Sequence, residues 1–372
     1  MAGEPRHRRI SRELLTEIAN GRYEPGSRLP SEAQLCRKFG VSRPTVGRAL
    51  RELQEQGLID RRVGSGTFVR ASRSSAEPAS YRQLGLLVPG LGKIEIFEVI
   101  CGELAGLARV HDFGMLWGGN ARPRTDIDMT TQEAEELASL FVEKGVSGVF
   151  FAPFEHTPDR DPANRRIVEK FRSAGIPVIL LDRDLGPFPH RTPYDLVGID
   201  NFAGGYLLAE HLVKLGARRL AFVTRPLSAA TVHARIAGAR AALAAHDVDP
   251  GDPFVQVGDP TDLAFARKAV SQRRVEAVIC TNDRTAAEFM QSLARIKVGV
   301  PRTVRVVGFD DVRYATLLPT QLTTMQQPCR EIAITAFQAM RERIADPSLP
   351  PRSLLLTPRL IVRESCGAYL RG

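Results

Sequence analysis

Along the first 70 residues, apolar side chains recur three times at helical spacing and then change to a shorter period. Ile10, Leu14, Leu15 and Ile18 share one face of a segment over 7–20, and Gly21 follows as a stop signal. Tyr23-Glu24-Pro25-Gly26 reads as a turn. Ser31, with Gln34 three residues on, has the spacing of a capping box, and the short helix it opens ends at Phe39-Gly40. Ser42 caps a third helix that turns Val46, Leu50 and Leu53 inward and ends near Gly57. Ile59 to Val63 and Thr67 to Val69 then form a two-stranded ribbon turned by Gly64-Ser65-Gly66. Two helices joined by a tight turn and followed by a ribbon predict a small winged helix-turn-helix domain over 1–70.

Residues 71–82 are small and polar without periodicity, which predicts a linker. Over 83–372 short apolar runs alternate with amphipathic stretches. Strands are expected at 84–88, 114–117, 148–151 and 178–181, and a second set at 197–199, 219–223, 254–257, 277–280 and 304–307. Helices are expected between them, for example at 97–109, 133–144, 203–215 and 235–245. This alternation predicts an α/β fold of doubly wound parallel sheets in two βαβ-type halves of similar size. The halves echo one another: the apolar run ending in Asp182-Arg183-Asp184 matches the one ending in Asp310-Asp311.

Charge sharpens the picture of the first domain. The chain has a formal net charge of +9, and residues 1–75 hold 15 Arg and Lys against 8 Asp and Glu. A basic excess gathered in one small module, interleaved with periodic apolar residues, fits a phosphate-backbone partner. Arg43, Thr45 and Arg48 lie at the start of the third helix, the part of this motif that meets base edges. Ser31 and the amides beside it suit a phosphate. Arg61 and Arg62 on the ribbon, with Gly64 and Gly66 at its tip, suit the minor groove or the backbone. Taken singly, each arginine could equally be a solvated surface residue; the motif that contains them favours DNA.

In open α/β sheets ligands bind beyond the carboxyl ends of the strands. Those ends here are Pro89-Gly90, Trp117, Phe154-Glu155, Asp182-Arg183, Thr224-Arg225, Gly258-Asp259, Asn282-Asp283 and Asp310-Asp311. Carboxylate, amide and guanidinium groups with one tryptophan suit a polyhydroxylated ligand, and acids outnumbering bases suit a phosphate less. Asp182 and Asp310 could instead cap a turn, Asn282-Asp283 could cap the following helix, Trp117 could be core, and Arg183 and Arg235 could sit in surface ion pairs.

The run Tyr23-x-Pro25-Gly26-x-x-Leu29-Pro30-Ser31-Glu32, then Gly40-Val41-Ser42-Arg43-x-Thr45-Val46, Gly57-Leu58-Ile59 and Gly64-x-Gly66-Thr67-Phe68-Val69 resembles the DNA-binding module of the GntR family of bacterial regulators. One departure is Gly47, where many members carry arginine. The run from Ile176 to Asp182-Arg183, then Val197-Gly-Ile-Asp200-Asn201, Gly204-Gly205, Arg235-x-x-Gly238, Thr281-Asn282-Asp283, Val307-Gly308-Phe309-Asp310-Asp311 and Gln327-Pro328 resembles the sensor of the lactose-repressor/galactose-repressor family, itself similar to periplasmic sugar-binding proteins. That resemblance implies a two-lobed clamp, dimerisation through this domain, and ligand positions at Asp182, Arg235, Asn282 and Asp310, with Arg183 and Asp283 adjacent. The segment Leu91 to Phe97 departs from the Asn-Pro-Phe-Phe of many members. The whole arrangement resembles arabinose-repressor-type regulators.

The expectation is therefore a regulator, a repressor, that binds double-stranded operator DNA as a homodimer, with a sugar effector between the lobes. A co-repressing effector, a nucleobase or a sugar phosphate in the same cleft stays open. An enzyme is disfavoured: no third glycine follows Gly90-Leu-Gly92, and there is no G-x-x-x-x-G-K-[ST], H-E-x-x-H or G-x-S-x-G. Cys36, Cys101, Cys280, Cys329 and Cys366 form no C-x-x-C pair, which argues against a zinc site or a disulfide framework. No cofactor, metal or membrane span is expected, and the expected compartment is the cytoplasm.

Overall fold

The computed structural model describes residues 6–19, 22–23, 26–55, 58–62, 66–69, 82–91, 94–118 and 129–370. Helices α1 (Arg6–Ala19), α2 (Glu32–Phe39) and α3 (Arg43–Glu55) precede strands β1 (Ile59–Arg62) and β2 (Gly66–Val69). Their apolar stripes meet in one core built from Ile10, Leu14, Leu29, Leu35, Val46, Ala49, Leu50, Leu53, Leu58, Ile59 and Val69. The capping box forms: Gln34 N donates to Ser31 Oγ at 3.3 Å and Ser31 N to Gln34 Oε1 at 2.8 Å. Gly40 ends α2 at φ 62°, a left-handed position that favours glycine. Ser11, buried on α1, donates to Glu52 Oε2 at 2.7 Å and so ties α1 to α3. The ribbon is antiparallel, with Ile59 opposite Val69 and Arg62 opposite Gly66. Residues 26–29 run along its other side, Leu29 N donating to Thr67 O at 2.8 Å, an extension the sequence pattern did not announce. The expected linker 71–82 and Gly64 lie outside the described residues, save Arg82.

The remaining chain alternates β3 (Gln83–Leu87), α4 (Glu95–Val110), β4 (Gly114–Trp117), α5 (Thr131–Glu143), β5 (Gly148–Phe151), α6 (Arg160–Ser173), β6 (Val178–Leu181) and β7 (Asp195–Ile199). It continues with α7 (Asn201–Lys214), β8 (Leu220–Thr224), α8 (Ala230–Ala245), β9 (Val255–Val257), α9 (Leu263–Ser271), β10 (Ala277–Cys280), α10 (Asp283–Arg295), β11 (Arg305–Asp310) and β12 (Thr323–Gln326). Helix α11 (Cys329–Ala345) and strands β13 (Ser353–Leu356) and β14 (Arg359–Ile361) follow. Two six-stranded sheets result, ordered β13-β7-β6-β5-β3-β4 and β14-β12-β11-β10-β8-β9. Strands β5, β6, β7, β8 and β10 are buried throughout, as expected for parallel strands covered on both faces.

The expected division into two consecutive halves needs one correction. Strand β7, assigned from sequence to the second set, pairs in parallel with β6 in the first sheet. Helix α11 and strand β13 also return to the first lobe, β13 pairing with β7. The chain therefore crosses between lobes three times: after β7, after β12, and between β13 and β14. The physical reason is that a short buried strand carries no mark of which sheet it joins, and β7 satisfies the open edge of β6. Arg343 on α11 anchors this return by gripping the buried Asp195 at the start of β7, at 3.0 Å.

Candidate functional site

Three acidic side chains come off strand ends in strained backbone. Asp182 follows β6 at φ 66°, Asp310 ends β11 at φ 114°, and Asp311 follows at φ 57°. Non-glycine residues in this region cost free energy and cluster where side chains must be aimed. Asp182 and Arg183 come from the first lobe, Arg235 and Asp310 from the second.

Arg183 is buried and ion-paired to Glu155 at 2.5 Å and to Asp182 Oδ2 at 3.0 Å, with Phe97 below its guanidinium at 5.5 Å. Burial alone would lower its pKa, but the two carboxylates outweigh it and hold the guanidinium charged. The same pairing overcomes burial at Glu155 and keeps that carboxyl below its ordinary range. Arg235, on α8, is also buried; its guanidinium carbon stands over the Phe309 ring, 3.6 Å from the centroid. It donates to Asn201 Oδ1 at 2.8 Å and to the Thr281 carbonyl at 2.6 Å. Burial lowers its pKa despite Asp310, Asp182 and Glu155 nearby. Helix α8 reaches this position because Gly205 on α7 and Gly238 on α8 let the two helices touch: a Cβ at either would stand 2.0 Å from a carbonyl oxygen of the other helix.

Asp310 Oδ1 accepts from Gln327 Nε2 at 2.7 Å. Burial raises its carboxyl to about 7, against the opposing pull of Arg235 and Gln327, with Asp182 and Glu155 adding to the rise. Two acceptors in this group, Asp182 Oδ1 and Gln327 Oε1, are enclosed and, among the described residues, without a hydrogen bond. Buried polar atoms are otherwise almost always paired, so these two mark where a donor belongs. The lobes are bridged beside the site. His156 N donates to Leu227 O at 2.9 Å, Arg160 to Ser228 O at 2.7 Å, and Arg313 N to Glu95 Oε2 at 3.1 Å.

Of the residues nominated from sequence, the structure thus brings together Asp182, Arg183, Arg235 and Asp310. Asn282 caps α10, accepting from Thr285 N at 2.9 Å. Asp283 is fully buried, and both its oxygens are filled: Thr324 Oγ1 donates to one at 2.5 Å and Val312 N to the other at 3.0 Å. Burial, and then Asp310, raise its pKa well above the usual range. Trp117 ends the edge strand β4 and is 59% exposed. Glu155 stood among the nominated strand ends without being assigned a ligand position, and Asn201 and Gln327 were passed over as site residues. Asn201 and Gln327 lie one residue or two past a strand in the chain, the signal that could have found them.

In the first domain, Arg43, Arg48 and Arg51 are exposed along one side of α3, and among the described residues none has a hydrogen-bond or ion-pair partner. Thr45 shares a hydrogen bond with Ser42 at 2.9 Å. Ser31 uses its hydroxyl within its own capping box. Arg61 and Arg62 lie on β1, their side chains outside the described residues; Gly66 opens β2 at φ 114°.

Residues 6–69 match the bacterial regulatory proteins of the gntR family, and residues 209–366 match the periplasmic binding protein-like domain. The arabinose metabolism transcriptional repressor of Geobacillus stearothermophilus is 26% identical over 373 residues, covering 97% of each chain. The ribose operon repressor of Escherichia coli K12 is 29% identical over 63% of this chain and 69% of its own. A LacI-family transcriptional regulator from Enterococcus faecium, solved with bound ribose, superposes with a TM-score of 0.61 at 24% identity, over 76% of this chain and 98% of that one. These relatives are transcriptional regulators, not enzymes. With the cores, caps and strand topology described above, the chain joins a GntR-type helix-turn-helix domain to a two-lobed periplasmic-binding-protein-like domain, and over its whole length it is similar to a transcriptional repressor.

Proposed function

We propose that this protein represses transcription by binding operator DNA as a homodimer, and that a neutral sugar held between Asp182–Arg183 and Arg235–Asp310 sets its affinity for DNA. The observation that carries the ligand class is the pair of unfilled buried acceptors, Asp182 Oδ1 and Gln327 Oε1, beside the Asp310 carboxyl. Both guanidiniums at the site are already occupied, Arg183 by two carboxylates and Arg235 by Asn201 and Thr281. An arrangement with spare acceptors and committed cations favours a ligand rich in hydroxyl donors over an anion. The named relatives, repressors of arabinose metabolism and of a ribose operon, point to the same class. Homodimerisation is supported by the exposed face of α4, where Val99 is 50% exposed and Gly102 and Gly106 have open space beside them.

DNA reading is assigned to the exposed, unpaired arginines of α3. Effector and operator then bias one equilibrium between two lobe arrangements, with a coupling of about 1–3 kcal/mol that acts equally in both directions. Thermal-shift measurements against pentoses, hexoses, disaccharides, sugar phosphates and nucleobases test the ligand class. A saturable rise with an uncharged sugar is expected; a rise confined to phosphorylated or nucleobase compounds would overturn it. Sedimentation of the purified chain tests the dimer.

A further inference from the structure

Gly47 sits within α3 with an ordinary helical backbone and, among the described residues, no atom beyond its own chain neighbours and helix backbone within 4 Å of where a Cβ would stand. Nothing in the folded domain requires glycine there. A mid-helix glycine is less stable than alanine because it loses more backbone freedom on folding, so the protein forgoes stability at this position without a packing reason. Gly102 and Gly106 on α4 are equally open, so an open helical glycine is not by itself a site. What sets Gly47 apart is its surroundings. Arg43 and Arg51 lie one turn to either side of it, four residues away, and Arg48 is adjacent. All three are exposed, and among the described residues none is paired. Arg22 and Lys38, by contrast, both bind Glu17. The outer side of α3 is thus a row of free guanidiniums interrupted by a notch of bare backbone.

We infer that this notch admits the DNA itself: with the operator bound, a base-pair edge carrying a thymine methyl rests against the Gly47 Cα, held there by Arg43, Arg48 and Arg51. The inference rests on the DNA-reading role assigned to α3. Inside a helix the backbone N–H and C=O groups bond to one another, so Gly47 presents only C–H surface to the groove. The apolar group on the major-groove edge of DNA is the thymine methyl, which makes apolar contacts with proteins. Gly47 is then a specificity-determining residue that reads by absence: any side chain at this position occupies the space the methyl needs.

The test begins with full-length wild-type protein selecting duplexes from a randomised pool about three helical turns long. Affinities of wild type and Gly47→Ala for the recovered duplex are then compared, with melting temperatures of both proteins. The expected result is an unchanged or raised melting temperature and an operator affinity weakened by about tenfold or more. Uracil in place of a thymine at one position per half-site should then restore binding to Gly47→Ala, because the methyl is present on one partner only. A smaller loss, a lowered melting temperature, or no recovery at any thymine position overturns the notch. Failure of the wild type to select any sequence overturns the repressor reading itself.

Discussion

Asp310 gives the account its most quantitative handle. Its carboxyl lies near 7 instead of the ordinary 3.8, chiefly through burial. Sugar hydroxyls donating to it favour the carboxylate, so binding should release a proton. At pH 8 about nine-tenths of the protein is competent, and at pH 6 about one-tenth, so effector affinity should fall about tenfold between them, or about 1.4 kcal/mol. The same group acts on folding with a definite sign. A carboxyl raised in the folded state stabilises fully below its unfolded value and loses that contribution as pH rises through about 7. The loss amounts to at most on the order of 4 kcal/mol, and less in so far as water enters the cleft around this partly exposed residue. Asp310→Asn keeps an acceptor for Gln327 and removes the titration. The variant should melt above wild type at pH 8, converge with it only as pH falls below about 4, and bind its sugar with an affinity that no longer varies between pH 6 and 8. Titration calorimetry across that range, with melting curves in parallel, measures both. A wild-type affinity that is flat with pH, or one whose pH dependence survives in Asp310→Asn, refutes the reasoning.

Other substitutions separate the two activities. Arg235→Lys removes the stacking on Phe309 and the forked contact to Asn201 and Thr281, so sugar-induced thermal shifts should vanish while operator affinity without sugar stays within about twofold. Arg43→Ala should do the opposite, costing about 1–3 kcal/mol of operator binding in an anisotropy assay and leaving sugar affinity intact. Gly205→Ala drives a methyl to 2.0 Å from the Arg235 carbonyl, so denaturant unfolding should show a loss of about 3 kcal/mol or more.

Local signals made the helix-turn-helix legible: the capping box at Ser31, the left-handed Gly40 and the apolar stripes of α1 to α3 each act within a few residues. The alternation of strand and helix made the α/β class legible too. What escaped was non-local. Strand β7 reads the same whether it joins β6 or opens a new sheet, and only pairing across the fold decides. Strands β12, β13 and β14 are short and half polar, and helices α6 and α11 carry Arg and Glu through their apolar pattern, so neither stood out. At the candidate site, Asp182, Arg183 and Asp310 were nominated because strand ends face the cleft in open α/β sheets, whereas Arg235, on helix α8, was nominated only through the family resemblance. Gln327 was not, because its importance lies in a bond to Asp310, seventeen positions away in the chain. Asn282 was legible both ways, as a ligand contact after a strand and as a helix cap, and its Oδ1 caps α10.

The central claim is that one chain couples a neutral sugar in the cleft to DNA affinity. It is tested most directly by titrating a sugar that raises the melting temperature into a complex of the full-length protein with its selected operator, with Arg235→Lys in parallel. The account predicts a saturable change in operator affinity of about 5- to 150-fold in the wild type, an equal change in sugar affinity when operator is present, and neither in the variant. A sugar that binds saturably and leaves operator affinity unchanged would contradict it.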